Sequence, residues 1–232
     1  MKNIKPYISD GIPAFVILLE RDKDRSSHVY KDIVPRLDSC QVIAATDADG
    51  DDIEVFMQQC LKPISIDDYA KYSRPKFACT ISHIRVWQRI VESNLEHAIV
   101  LEDDVVIDDG FEAFVRELKD QLPSTYDLAH LYIHPDFQSD WSRGADLADR
   151  AFVEFVPRWG RSAYLLSQTG AKKLLDLFEH VAHHGDMQIA QMAQRGDLSV
   201  YCASKMHVQN LGQMNLKYNG ERFRSTVHPK TE

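Results

Sequence analysis

Three consecutive carboxylates, Glu102-Asp103-Asp104, stand between two apolar runs, Ile99-Val100-Leu101 and Val105-Val106-Ile107. Like charges crowded together raise one another's pKa, and none stays ionised easily once buried. A hard divalent cation removes that conflict, because Mg²⁺ and Mn²⁺ prefer oxygen ligands. The carboxyl end of a strand is also where ligands gather in open α/β sheets. A second reading fits the same residues: a solvated acidic turn that leads into the helix starting near Phe111. Elsewhere, Asp186 is either a general base or the N-cap of a helix over 187–194, since Asp is a preferred cap. His130 and His134 lie four apart on an expected strand, and His180, His183 and His184 cluster near Asp186. No compact zinc spacing accompanies them, so a structural role or a place on the rim of a site is expected.

These groups need a scaffold, and the hydrophobic pattern supplies one. Ala14 to Leu19 is a continuous apolar run, as in a strand buried on both faces. A charged turn follows, and then Val29, Ile33 and Leu37 at helical spacing. Gln41 to Ala45 reads as a second strand running into an acidic turn, Thr46 to Asp52. Ser82 is expected to cap a helix carrying Ile84, Trp87, Ile90 and Val91. His97 to Leu101 is the strand that ends on the acidic triplet. Phe111, Phe114, Val115, Leu118 and Leu122 form the apolar stripe of an amphipathic helix. Further strands are expected at 127–133, 152–156 and 162–167. Ser167 caps a last helix faced by Ala171, Leu174, Leu175, Phe178 and Val181. Strands alternating with helices in this order imply an α/β fold, a Rossmann-type, mixed but mostly parallel sheet flanked by helices.

Composition narrows the function. The 232 residues include 35 acidic and 27 basic side chains, a net charge of −8. Such a chain lacks the positive field that duplex nucleic acid requires, so no nucleic-acid partner is expected. Cys40, Cys60, Cys79 and Cys202 are widely separated, which argues against a disulfide scaffold and for thiols in a reducing compartment. The N-terminus shows no signal-peptide core, and six apolar residues are far too few to span a membrane. The expectation is a cytoplasmic location.

A family resemblance adds to this reading. Phe77-Ala78-Cys79-Thr80-Ile81-Ser82-His83-Ile84-Arg85-Val86-Trp87, followed by Ala98-Ile99-Val100-Leu101-Glu102-Asp103-Asp104-Val105, resembles a Gly-Cys-x-x-Ser-His-x-x-x-Trp … Leu-Glu-Asp-Asp-Val pattern. That pattern belongs to glycosyltransferase family 25, the lipooligosaccharide galactosyltransferase-like group. Phe15 to Arg21 with Arg25 resembles its first strand and Arg. Ala44 to Gly50 resembles its Ala-x-Asp-Gly turn, Ala163 to Ser167 with Ala171 to Leu175 its Ala-Tyr-Leu-Ile-Ser … Ala-Lys-Lys-Leu-Leu segment, and Gly185-Asp186 its Val-Asp. The likeness runs in family order over roughly 14–210.

The resemblance implies a single GT-A-like domain over 1–232, with a donor-binding half at about 12–110, an acceptor half at about 111–212 and a polar tail over 213–232. It implies transfer of a hexose, commonly galactose, from a UDP-sugar to a saccharide or lipid-linked saccharide acceptor, with inversion and a Mn²⁺ or Mg²⁺ cofactor. Asp104 would be the metal ligand, and Arg25, Asp47, Ser82, His83, Glu102 and Asp103 would bind the donor. Asp186 would deprotonate the acceptor hydroxyl. Trp141, Trp159 and Tyr132 could stack on sugar faces or pack in the core. Contact with the cytoplasmic face of an inner membrane would fall to a local patch such as Lys217, Tyr218, Arg222, Phe223 and Arg224. The chain departs from the pattern at Leu18, at Pro75-Lys76-Phe77-Ala78 and at Ser162, positions that bear on the nucleotide pocket and the donor's identity. The alternative is a non-catalytic relative that binds a saccharide or a protein. A phosphotransfer or hydrolytic enzyme would use the same triplet but lacks a phosphate-cradling Gly-rich loop.

Overall fold

The computed structural model describes residues 11–50, 53, 74–146, 149–177 and 185–212, and the backbone of two short strands near the C-terminus. Cys60, Phe178, Val181, His180, His183 and His184 lie outside the described residues, as do the side chains of the basic and aromatic C-terminal patch.

The apolar run forms β1 (Ala14–Leu18), every residue of it buried. Helix α1 (Lys23–His28) is capped by Asp22, whose side chain accepts from the amides of Asp24 and Arg25. A π turn (Val29–Ile33) and a 3-10 turn (Val34–Arg36) then lead to β2 (Cys40–Ala44). Helix α2 (Arg74–Glu92) delivers the chain to β3 (His97–Glu102) and the short β4 (Val105–Ile107). Next come α3 (Phe111–Gln121), β5 (Leu128–His130), α4 (Pro135–Ala145), β6 (Phe152–Val153) and β7 (Ala163–Ser167). Helices α5 (Gln168–Leu177) and α6 (Gly185–Gln194), then β8 (Val200–Ala203) and β9 (Val208–Asn210), complete the main body. β10 (Lys217–Tyr218) and β11 (Glu221–Arg222) pair antiparallel.

Seven strands form one sheet in the order β2-β1-β3-β7-β5-β8-β6. Five of them run the same way, while β7 and β6 run against their neighbours. The expected mixed, mostly parallel sheet is therefore present. Both faces are covered, which is why β1 and β3 are apolar throughout. Val16, Ile99, Leu101 and Leu165 join Val29, Phe111, Val115 and Leu118 on one side. Phe15, Val100, Tyr164 and Leu166 join Ile81, Trp87, Leu174 and Ile189 on the other. The stripe expected on α3 is wholly buried, and Ser167 caps α5 by accepting from the Gly170 amide at 2.9 Å.

Ser82 does not cap a helix. Helix α2 already runs at Arg74, with Pro75 in its first described turn, and Ser82 lies inside it. Its hydroxyl donates back to the Ala78 carbonyl at 2.8 Å and accepts from the Thr46 amide at 2.9 Å, joining α2 to the segment after β2. The expected strands at 127–133 and 152–156 shorten to three and two residues, because Leu131 onward turns toward α4 and Glu154 leaves the sheet edge. His134 is consequently not on a strand with His130; it caps α4, its Nδ1 accepting from the Asp136 amide at 3.2 Å.

Candidate active site

β2 lies on one side of β1 and β3 on the other, so the chain reverses its winding direction between β1 and β3. Ligands in doubly wound sheets bind outside the carboxyl ends of strands at such a point. β1 ends there and hands on to Arg25; β3 ends there on the acidic triplet. Two recesses open side by side. One, of about 350 Å³, is lined by Leu19, Arg21, Arg25, Thr46, Ala48, Asp49, Ser82, His83 and Asp103 among others. The second, of about 560 Å³, is lined by Lys76, Thr80, His134, Trp159, Arg161, Ser162, Asp186 and Asn210 among others. Cys79, Glu102 and Asp104 line both and form their common wall.

The three carboxylates have different surroundings. Asp103 is buried and fully engaged: one oxygen accepts from the Leu19 amide at 2.9 Å and the other pairs with the buried guanidinium of Arg25. Asp104 lies 3.7 Å from Arg25 Nη2, and its Oδ1 accepts from Asn210 Nδ2 at 2.8 Å. Burial pushes its pKa up to about 7; Arg25 partly offsets this, while Glu102 and Asp103 add to it. Burial also works against ionised Glu102, but a hydrogen bond from His83, with Arg161 and Ser162 nearby, outweighs it and holds the pKa at about 2.

A buried chain of hydrogen bonds ends on Glu102. Trp87 Nε1 donates to the Tyr164 hydroxyl at 2.8 Å, that hydroxyl lies 2.9 Å from His83 Nδ1, and His83 Nε2 lies 3.1 Å from Glu102 Oε1. All four groups are satisfied when Tyr164 donates to Nδ1 and Nε2–H donates to the carboxylate. Burial, then the nearby Arg161 charge, lowers the His83 pKa to about 4, which keeps the ring neutral. The Cys79 thiol donates to the same Glu102 oxygen at 3.5 Å.

Across the second recess, Asp186 sits in the first turn of α6 and is half-buried. Its two oxygens accept from the Gly160 amide at 3.2 Å and the Met187 amide at 3.1 Å. The carboxylate is thus anchored to the loop before β7 as well as to its own helix. Arg161 lines the same recess as Asp186 and Glu102 and feels the charge of both; it is buried, with Nη2 3.7 Å from Cys79 Sγ. A Cβ at Gly185 would fall less than 3 Å from its Nη1, so the glycine makes room for the guanidinium.

The structure brings Arg25, Ser82, His83, Glu102, Asp103, Asp104 and Asp186 around the two recesses. Asp47 borders the first recess through Arg21 rather than lining it directly. It faces Arg21 Nη1 at 3.1 Å and accepts from the Asp49 amide, while its neighbours Thr46, Ala48 and Asp49 line the recess. Tyr132 is wholly buried and belongs to the core. Trp141 donates to the Ala203 carbonyl at 2.8 Å near the β6 edge, whereas Trp159 lines the second recess. Arg161 and Asn210 were not singled out from the sequence, and Lys76 entered only as part of a departure from the family pattern. For Arg161 the available signal was a cation set directly against the uncharged strand Ala163 to Ser167. Asn210 had none, because it reaches the site only through the β4–β9 pairing.

A mixed sheet that gathers carboxylates and a buried arginine at its winding reversal has a counterpart among enzyme families. The model of glycosyltransferase family 25 (LPS biosynthesis protein) matches residues 12–191, and the chain belongs to that family. Its relatives include the lipooligosaccharide biosynthesis protein lex-1 of Haemophilus influenzae, 22% identical over 50% of this chain and 41% of that protein. Human procollagen galactosyltransferase 2 is 26% identical over 69% of this chain and 27% of its own length. The lacto-N-neotetraose biosynthesis glycosyltransferase LgtB of Neisseria meningitidis serogroup B is 29% identical over 47% and 42%. This chain thus spans less than half the length of each of these relatives. Among solved structures, the galactosyltransferase LgtC in complex with donor and acceptor sugar analogs aligns with a TM-score of 0.43 at 13% identity, over 82% of this chain and 73% of that one. Among the described residues, no helix is long and apolar enough to cross a membrane.

Proposed function

We propose that this chain is an inverting glycosyltransferase that moves a hexose, galactose first among the candidates, from a UDP-sugar to a saccharide or lipid-linked saccharide acceptor. The observation that carries this reading is the common wall: a donor in the first recess and an acceptor in the second would meet over Glu102 and Asp104. The donor side offers Arg25 for the diphosphate, held in place by Asp103, with the Ser82–Thr46 link shaping the floor.

The donor set suits a hard cation. Asp104 and Glu102 present carboxylate oxygens to both recesses, and the raised pKa of Asp104 marks a charge that its protein neighbours leave incompletely compensated. Mn²⁺ or Mg²⁺ held by Asp104, with Glu102 nearby, would supply Lewis-acid stabilisation of the negative charge on the departing diphosphate. Asp186 is the base. Anchored by two backbone amides, it faces the acceptor recess and takes the proton of the attacking hydroxyl, as the new glycosidic C–O bond forms and the sugar–diphosphate bond breaks. His83 acts on Glu102, keeping its carboxylate ionised and directed into the cleft.

A UDP-release screen tests the proposal, run with UDP-galactose, UDP-glucose and their N-acetyl forms against saccharide acceptors, with and without Mn²⁺. One donor should give Mn²⁺-dependent release that Asp186→Asn removes. Retained UDP binding without turnover of any donor would instead favour a non-catalytic saccharide-binding relative. UDP affinity that is unchanged in chelator would eliminate the metal role.

A further inference from the structure

Cys79 and His83 are four apart on α2 and so project from one face of the helix, onto the carboxylate that ends β3. Cys79 Sγ and His83 Nε2 both point at one oxygen, Glu102 Oε1, at 3.5 and 3.1 Å, and all three atoms lie within 4.8 Å of one another. A four-coordinate cation with metal–ligand lengths of about 2.0–2.3 Å would space such ligands about 3.3–3.6 Å apart. Two edges of the triangle are already close to that, and the third, no longer than 4.8 Å, closes by movement of the thiol.

We propose that Cys79, His83 and Glu102 form a site for a borderline-soft divalent cation of the Zn²⁺ type, separate from the hard-cation position at Asp104. The ligands differ in kind: thiolate and imidazole select Zn²⁺-like ions, whereas oxygens select Mg²⁺ and Mn²⁺. The second sphere orients the ring: the Tyr164 hydroxyl, itself held by Trp87, lies at His83 Nδ1 and sets Nε2 toward the site, and on metal binding that hydroxyl turns from donor to acceptor of the Nδ1 proton. Three protein ligands leave a fourth position open, on the wall that lines both recesses.

Binding balances simply. The ion replaces the Cys79 thiol proton, which leaves to solvent, and the His83 proton moves from Nε2 to Nδ1, so one proton is released per ion. Arg161 is the competing cation, its Nη2 3.7 Å from the sulfur; Glu102, Asp104 and Asp186 supply the opposing charge. Insofar as the proposed function holds, the two sites share Glu102 and exclude one another, so Zn²⁺ should inhibit a Mn²⁺-supported transfer.

The test uses Co²⁺ as a spectroscopic stand-in, with no sugar nucleotide present. The full chain should bind one equivalent, with a near-ultraviolet thiolate-to-metal band that Zn²⁺ abolishes and release of one proton. Cys79→Ser should lose that band, and Tyr164→Phe should weaken binding by about 10–100-fold. A band that survives in Cys79→Ser places the ion on another thiol and overturns the proposal, as does absence of any band with the folded wild-type chain. If Cys79→Ser misfolds, protection of Cys79 from alkylation by Zn²⁺ in the wild-type chain decides the matter, and unprotected alkylation counts against the site. The hard-cation reading does not depend on this outcome, because Mn²⁺-dependent UDP binding is measured separately.

Discussion

A change of one oxygen to one nitrogen at Asp104 separates the charge of that side chain from its shape. Asp104→Asn keeps the size of the group and its place beside Asn210, and it removes the carboxylate. The expected result is loss of transfer with the melting temperature within a few degrees of wild type; unfolding instead would make the triplet structural. His130 offers a second test. It is wholly buried beside Asp186 and Arg161, and burial first, opposed by Asp186, lowers its pKa to about 4. Between pH 6.5 and 4 the unfolded chain takes up a proton at His130 that the folded chain refuses. Its share of stability is therefore present above pH 6.5 and lost as pH falls toward 4, by up to about 3 kcal/mol. His130→Leu should be relatively more stable at pH 4.5 than at pH 7 when each is compared with wild type by chemical denaturation; a pH-independent difference would refute this. At this scale the sequence showed which carboxylates cluster but not which are already engaged. The Asp103–Arg25 pair joins residues 78 apart, and no local pattern encodes that meeting.

Elements whose faces bury a regular stripe were legible. β1, β3 and α3 lie where the apolar pattern puts them, because both faces of the sheet and one face of the helix are covered. The start of α2 was misread: a serine inside a helix can bond back to the carbonyl four residues earlier, and Ser82 looks like a cap only when that bond and its Thr46 partner are unknown. Glycine placement on α5 was equally hidden. Gly170 lies against the backbone at Asp127, where a Cβ would fall 2.8 Å from the carbonyl carbon and 2.9 Å from Cα. Gly170→Ala should thus destabilise by about 1–3 kcal/mol, although helix propensity alone would favour alanine by about 1 kcal/mol. Denaturant unfolding checks the sign, and a stabilised variant would show that α5 shifts freely.

For the molecule as a whole, the sequence made the fold class plain but not the strand order. β7 comes after β6 in the chain yet inserts between β3 and β5, running antiparallel to both. A fragment ending near residue 110 would therefore contain β1, β2 and β3 and expose the apolar edge of β3. Such a fragment should aggregate rather than bind UDP; a soluble fragment with UDP affinity would show that the donor side folds alone.

The same insertion bears on how the chain is made. Glu102 leaves the ribosome about 60 residues ahead of Ala163, several seconds at ordinary rates of synthesis, and for that interval the strand carrying the acidic triplet has no neighbour on one side. The donor side is consequently sealed late, when β7 closes the open edge of β3, and the acceptor side later still, once Asp186 and Asn210 have followed, so a nascent chain should have no donor site before β7 arrives.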